Sequence, residues 1–422
     1  MNFQIPCGKS FVDIKIPGDA LVPMARVPEP VPVDDAFLAL ECALEAPIAS
    51  APLAEMACGR KSAVVVISDI TRPVPNQVIL PGVLTALERA GISTESTTIL
   101  IATGLHRGAT EGEVIALVGE SIARKYRVVS HDARKTETLA YLGESLIGAP
   151  IWLNKAYVEA DLKIVTGLIE PHFMAGFSGG RKGVCPGVAG AETVCGFHAV
   201  ELMDHPASYT ANLQHNPVHL MADEIADIAG IDFLVNVTID RERRITGVFA
   251  GDWRTAWATG VGKAQRDLTR LYEYPAELVI TSAGGWPLDA TFYQTVKGMY
   301  AGAQLARLGG DVLTIAGCEE GMGSEEYADL MRHAVTCEDF ANKIRMPGYF
   351  TIDQWQVQKH CQAANRARLL LHTPGLNDEP LADYLVEPVS DPQAVVDSYL
   401  RNTLVPAIAV LAEGPYVIPV VG

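Results

Sequence analysis

The stretch SAVVVISD, residues 62–69, limits the possible folds more than any other. It is almost wholly apolar and β-branched and has no polar face, which is the pattern of a strand covered on both sides. A polar loop, ITRPVPNQ, and a helix expected over residues 76–90 follow it. Then the pattern repeats: TTILIATG at 97–104, a loop LHRGATEGE, and a helix expected to begin near Thr110. Shorter strands are expected at 127–130 and 161–167. Strands that alternate with helices in this way predict an α/β fold with a mainly parallel sheet. Residues 1–60, ahead of it, read as irregular and proline-rich with one helix near 34–44.

After His198 the periodicity fades until FLVNVTID (233–240), another expected strand, and a helix expected over 253–271. A second α/β run starts at ELVITSAGG (277–285) and continues through DVLTIAGC (311–318), ARLLLHT (367–373) and AIAVLAEG (407–414). A chain of 422 residues exceeds one ordinary core, so two α/β domains are expected, residues 1–268 and 269–422. The net charge of −17 argues against a nonspecific nucleic-acid binder, which needs a basic face. No apolar run reaches membrane-spanning length, and the opening MNFQIPCGKSF lacks the apolar core of a signal peptide. The eight cysteines are scattered with no C-x-x-C pair, which fits a reducing cytoplasm.

Ligands of open α/β sheets bind beyond the carboxyl ends of the strands. Asp69, Arg72, His106, Arg107, Glu170 and His172 all fall at or just after such ends. The last two open a segment, residues 170–198, that reads EPHFMAGFSGGRKGVCPGVAGAETVCGFH. Its seven glycines let backbone N–H groups approach an anion, and Arg181 and Lys182 add charge. It is expected to be the loop that holds an anionic cofactor. It is not a Walker loop, because Gly183 stands where a hydroxyl residue is required. Taken alone, Lys182 is either a loop lysine or a lysine that binds or covalently holds a cofactor. His106 and His172 are either structural or a pair of proton shuttles. His198 is packed or a metal ligand. His215 and His219 have the spacing of one helical face, but Pro217 between them weakens a zinc site. In the second domain Gln294 and Lys297 share a helix face and could clamp a carboxylate, with Trp355 beside an apolar pocket.

The motifs SDITRPVP, ATGLHRGAT, EPHFMAGFSGGRKGVCPGVAG, GFH, YQTVK and DQW occur in this order between residues 68 and 355. Together the chain resembles the nickel-pincer enzymes typified by lactate racemase. The resemblance implies two α/β domains with an interdomain active-site cleft. It implies racemisation or epimerisation of a 2-hydroxy acid by hydride transfer to and from a nickel-pincer nucleotide, a pyridinium-derived mononucleotide carrying two sulfur groups and nickel. It assigns Lys182 as the covalent attachment point and His198 as the protein ligand to nickel. His106 and His172 become acid/bases, and Asp69, Arg72, Gly179, Gly180 and Arg181 lie at the cofactor. Arg72, Tyr293, Gln294, Lys297 and Trp355 lie at the substrate. Cofactor-synthesis enzymes are the implied partners. Leu105 departs from the family's threonine, which bears on the substrate rather than on the chemistry. Competing readings are a nucleotide-dependent dehydrogenase and a non-catalytic cofactor carrier. No G-x-G-x-x-G follows the 62–69 strand, which argues against the first, and a carrier needs no acid/base pair.

Overall fold

In the computed structural model of the chain the 62–69 stretch forms a strand at Ala63–Ser68, its first five residues buried. Residues 1–422 are described apart from Arg26, Val335 and Asp378. The strand lies inside a six-stranded sheet of order Ile245–Gly251, Phe233–Ile239, Leu162–Leu168, Ala63–Ser68, Thr97–Ala102, Arg127–Ser130. Neighbours run parallel except at one edge, where Phe233–Ile239 and Ile245–Gly251 are antiparallel. The helix Asn76–Arg89 lays Ile79, Leu80, Val83, Leu84 and Leu87 on Val65, Ile67, Ile99 and Ile101. Their spacing keeps one apolar stripe against the sheet. Thr110 and Glu113 form a capping box that starts the helix Glu111–Val118.

The second sheet has five parallel strands in the order Glu387–Pro388, Ala367–His372, Ala306–Ile315, Ala276–Ser282, Ile408–Leu411. Two compact units result. The six-stranded unit comprises Glu29–Glu170 and Ala175–Asp267, and the five-stranded unit comprises Met1–Pro28, Pro171–Met174 and Leu268–Gly422. The first 28 residues therefore pack with the second sheet rather than with the domain expected over 1–268. They are also more regular than expected. Asn2–Cys7 and Ser10–Lys15 form an antiparallel hairpin whose Ile5, Cys7, Ile14 and Ile16 join Leu278, Ile280, Leu313 and Ile315 in one core. Pro6 inside the first strand hid it, because proline normally argues against a central strand. Likewise, the region without clear periodicity contains the helices Ala191–Phe197, Val200–Asp204 and Pro217–Ala229. His215 precedes the last of these with φ 54°, so it shares no helical face with His219. No described helix is long and apolar enough to cross a membrane.

One side chain ties the hairpin to its sheet. Asp289, fully buried, accepts from the N–H of Gly8 at 2.7 Å and of Gly317 at 2.9 Å. Asp289→Ala leaves both buried donors without an acceptor, at about 1–3 kcal/mol each. The expected result is a fall in urea midpoint matching about 2–6 kcal/mol, and an unchanged midpoint would show that water replaces the carboxylate without loss.

Candidate active site

The six-stranded sheet brings four of the expected residues to its strand ends. After Ala63–Ser68 the chain turns through Asp69, whose Oδ1 accepts from the Thr71 N–H at 3.2 Å and the Thr71 hydroxyl at 2.6 Å. This Asx-type turn leaves Oδ2 to meet His106 Nδ1 at 2.7 Å. Burial pushes the Asp69 carboxyl up, but the His106 charge and hydrogen bond, Thr71 and Arg72 together hold it below its ordinary value. An ionised carboxylate only accepts, so His106 Nδ1 is the donor and Nε2 is the nitrogen turned away from Asp69. The His106 side chain is 42% exposed, which leaves that nitrogen reachable. In the same loop Arg72 Nε lies 3.1 Å from Glu170 Oε1, and Glu170 Oε2 is buried without a hydrogen-bond partner. Arg107 is engaged elsewhere: it grips Glu113 through two contacts of 2.7 and 2.6 Å at the start of the next helix.

Lys182 sits in the short 3-10 turn Gly180–Gly183. Gly179 and Gly180 both have positive φ, 73° and 54°. A Cβ on Gly179 would lie 2.6 Å from Asn236 Oδ1, and one on Gly180 would lie 2.8 Å from the Trp257 ring. The Gly180 N–H donates to that Asn236 oxygen at 2.7 Å. Asn236 belongs to the N-x-T triplet in the strand Phe233–Ile239, where it is fully buried. Gly104, after the strand that leads to His106, donates to the Gly187 carbonyl at 2.9 Å. The lysine turn is thus seated on the strand ends that carry Asp69 and His106.

His198 caps the helix Ala191–Phe197, and its Nδ1 lies 2.8 Å from the Val194 carbonyl. Nδ1 must donate there, so Nε2 carries the lone pair. Burial, together with the nearby Lys182 charge, lowers its pKa to about 3 against the pull of Val194. It is a neutral imidazole at physiological pH, the form that ligates metals. The Lys182 charge also reaches the Cys185 thiol, which burial pushes up and that charge pulls down. Among the described residues no group of three or more His, Cys, Asp or Glu could hold a metal without help. Arg181 departs from the sequence expectation. The resemblance puts it at the cofactor, but its side chain is fully buried and stacks on Trp257 at 3.9 Å.

In the five-stranded unit, Thr291 caps the helix Phe292–Leu305. Gln294 is buried there with Oε1 lacking a hydrogen-bond partner. Lys297 Nζ lies 5.9 Å from the Phe173 ring, which meets Tyr300 edge-on at 5.8 Å and His172 at 5.1 Å. Trp355 Nε1 donates to the Tyr293 hydroxyl at 3.1 Å. His172, Tyr293, Gln294, Lys297 and Trp355 therefore belong to one unit, and Asp69, Arg72, His106, Lys182 and His198 to the other. Sequence reasoning missed Phe173, Tyr300 and Lys359. Lys359 is 1% exposed, with Nζ 2.9 Å from Gln362 Oε1 and 5.2 Å from the Tyr300 ring. The one signal for it was its four-residue step from Trp355, which puts both on one helix face.

Fold and residues define a two-domain α/β enzyme. The family profile described as the lactate racemase N-terminal domain matches residues 7–211, and that of the lactate racemase C-terminal domain matches 271–418. A lactate racemase from Thermoanaerobacterium thermosaccharolyticum is 35% identical over 395 residues, covering 92% of each chain. One from Lactiplantibacillus plantarum is 36% identical over 335 residues, 79% of this chain and 77% of the relative. The lactate racemase apoprotein structure from T. thermosaccharolyticum superposes with a TM-score of 0.91 at 33% identity over the whole of both chains. A protein of Thermotoga maritima, at 16% identity and a TM-score of 0.73 over 94% of this chain and all of its own, shares the fold. The chain belongs to the lactate racemase family.

The Asp69–His106 bond has a measurable consequence. In Asp69→Asn the ring loses its anionic acceptor, and ¹⁵N NMR of labelled histidine should show His106 passing from a single Nδ1–H tautomer to a mixture. The same single tautomer in the variant would mean that Asp69 does not orient the ring. Because the Asp69 pKa is lowered in the folded state, its stabilisation is present above the ordinary carboxylate value. It is lost as pH falls through the lowered one, so the variant should unfold less steeply in acid than the parent.

Proposed function

We propose that this chain inverts the C2 stereocentre of a 2-hydroxy acid, lactate or a close relative, with a nickel-pincer nucleotide held at Lys182. The observation that carries the reading is a buried imidazole, His198 at the end of the helix Ala191–Phe197, kept neutral by burial and by the nearby charge of Lys182. The donor set fits the group: an amine for covalent attachment, and one neutral imidazole whose Nδ1, not Nε2, faces the Val194 carbonyl. A single protein ligand suits a metal whose other donors come with the cofactor, so a cluster of several protein ligands is not needed among the described residues. When bound, the cofactor supplies a site that takes and returns the C2 hydrogen as hydride, which avoids a carbanion next to a carboxylate.

The chain's own residues do the rest. Lys297 and Gln294 hold the substrate carboxylate, one by charge and one through the amide. Arg72, fixed by Glu170, stands at the cofactor and the hydroxyl end of the substrate. Trp355 and Tyr293, joined by their hydrogen bond, form an apolar wall. A 2-keto acid is planar and takes hydride on either face of C2. The oxygen that must be reprotonated points a different way in the two cases, so each enantiomer needs its own acid/base. His106 serves one face through Nε2, and His172 serves the other. Asp69 keeps the first of these in its working tautomer. The enzymes that make the cofactor are the expected partners, and the cytoplasm is the expected setting.

Production with and without the cofactor-making enzymes, followed by intact-mass analysis and polarimetry on enantiopure 2-hydroxy acids, tests this directly. The expected outcome is an adduct on Lys182 and loss of optical rotation, both absent in Lys182→Ala. Full racemisation by Lys182→Ala would overturn the assignment. Lys297→Ala should lower kcat/KM roughly ten- to hundred-fold, the worth of one charge-assisted contact. His106→Ala and His172→Ala should each stop net racemisation, with single-turnover keto acid arising from opposite enantiomers in the two variants. Keto acid from the same enantiomer in both would place the two histidines on one face.

A further inference from the structure

The residue before Lys182 poses a problem that the proposed chemistry leaves unsolved. Arg181 is a charged side chain with 0% exposure, and its Nε and Nη1 make no hydrogen bond. It is held at three fixed points. The guanidinium lies 3.9 Å over the Trp257 ring, Nη2 donates to the Ala175 carbonyl at 3.0 Å, and Nε stands 3.3 Å from Asp223 Oδ1. Asp223 lies on the helix Pro217–Ala229 and also faces His219 at 3.5 Å and Arg254 at 3.8 Å. Arg254 in turn grips Asp227 through two contacts of 2.6 Å. Trp257 donates to the Ser178 carbonyl at 2.9 Å, so the ring beneath the guanidinium also fixes the chain just ahead of the turn.

Stability does not account for this arrangement. Burial lowers the Arg181 pKa to about 9 and raises that of Asp223, and the charge of each opposes the shift of the other. An apolar pair of similar volume usually does as well or better in such a place. Incompletely satisfied buried donors add to the cost. What the network does provide is direction. A planar fork fixed at three points cannot rotate, and Lys182 follows it in a four-residue turn, with its charge felt by His198 and Cys185.

We propose that Asp223, acting through Arg181, is a positioning residue: it locks the Gly180–Gly183 turn so that the Lys182 amine faces His198. The proposal rests on Lys182 being the attachment point. His219, a candidate zinc ligand by spacing, is one wall of this network.

The test compares the wild type with Asp223→Asn, Asp223→Glu and the double variant Arg181→Met with Asp223→Leu. Three quantities are read: thermal midpoint, the rate at which a small amine-acylating reagent labels Lys182 by peptide mass spectrometry, and adduct yield after production with the cofactor-making enzymes. The expected result is a double variant that melts no lower than the wild type yet labels and loads roughly ten- to hundred-fold less well, the scale of a misplaced reactive group. Asp223→Glu, which restores the carboxylate, should recover most of both. Labelling and loading at wild-type levels in the double variant would overturn the proposal and leave the network a structural one. If the double variant does not fold, Asp223→Asn against Asp223→Glu decides on the same two readouts. A wild type that takes no adduct at Lys182 would instead sink the attachment reading, while the labelling rates still report on positioning.

Discussion

A backbone without side chains at Gly179 and Gly180 is the constraint on which the rest of the site depends. The turn lies so close to Asn236 and Trp257 that a single added carbon at either position meets them inside contact distance. Closeness is what allows the Gly180 N–H to reach a fully buried amide, and what allows Trp257 to serve as a floor for both the turn and Arg181. Strand, helix and turn are thereby fixed to one another at the carboxyl ends of a parallel sheet, where open α/β folds bind ligands. Reactive groups placed on such a frame lose little freedom when they act, which is the physical basis of preorganisation.

The two imidazoles of the six-stranded unit sit in opposite electrostatic surroundings. Both are set with Nδ1 as donor, one to a carboxylate and one to a backbone carbonyl. Beside Asp69, any positive charge that develops on His106 is stabilised, which suits proton traffic. Beside Val194 and near Lys182, a charge on His198 is opposed by burial and by its neighbour, which keeps the ring neutral.

Much of this was legible in the sequence. Continuous β-branched runs such as 62–69 announced buried parallel strands, because a strand with no polar face has nowhere else to go. Strand ends then located Asp69, Arg72 and His106. The Asn2–Cys7 strand was not legible, since Pro6 and Gly8 obscure the alternation and its partner core lies some 280 residues away in sequence, as the Gly8–Asp289 separation of 281 shows. The burial of the Arg181 side chain was not legible for a related reason. Spacing says that a charged residue is in a loop, but only three-dimensional packing reveals that Trp257 and Asp223 claim it. Phe173 was passed over inside its own motif, Tyr300 and Lys359 carry none, and it takes the fold to bring the two rings and the amine together.

The hairpin bears on the time course of folding during synthesis. The six-stranded unit draws on residues 29–170 and 175–267 and has all its strands once Asp267 has been made. The five-stranded unit does not. Its first strands are made at the start, but the carboxylate that holds Gly8 lies 281 residues later. At about 5–20 residues per second that interval is on the order of 15–60 s. Ile5, Cys7, Ile14 and Ile16 are therefore made well before the core that covers them. The unit that carries Lys182 has all its residues before the unit that carries Lys297 does, and the apolar segment 5–16 must wait for the strands that cover it.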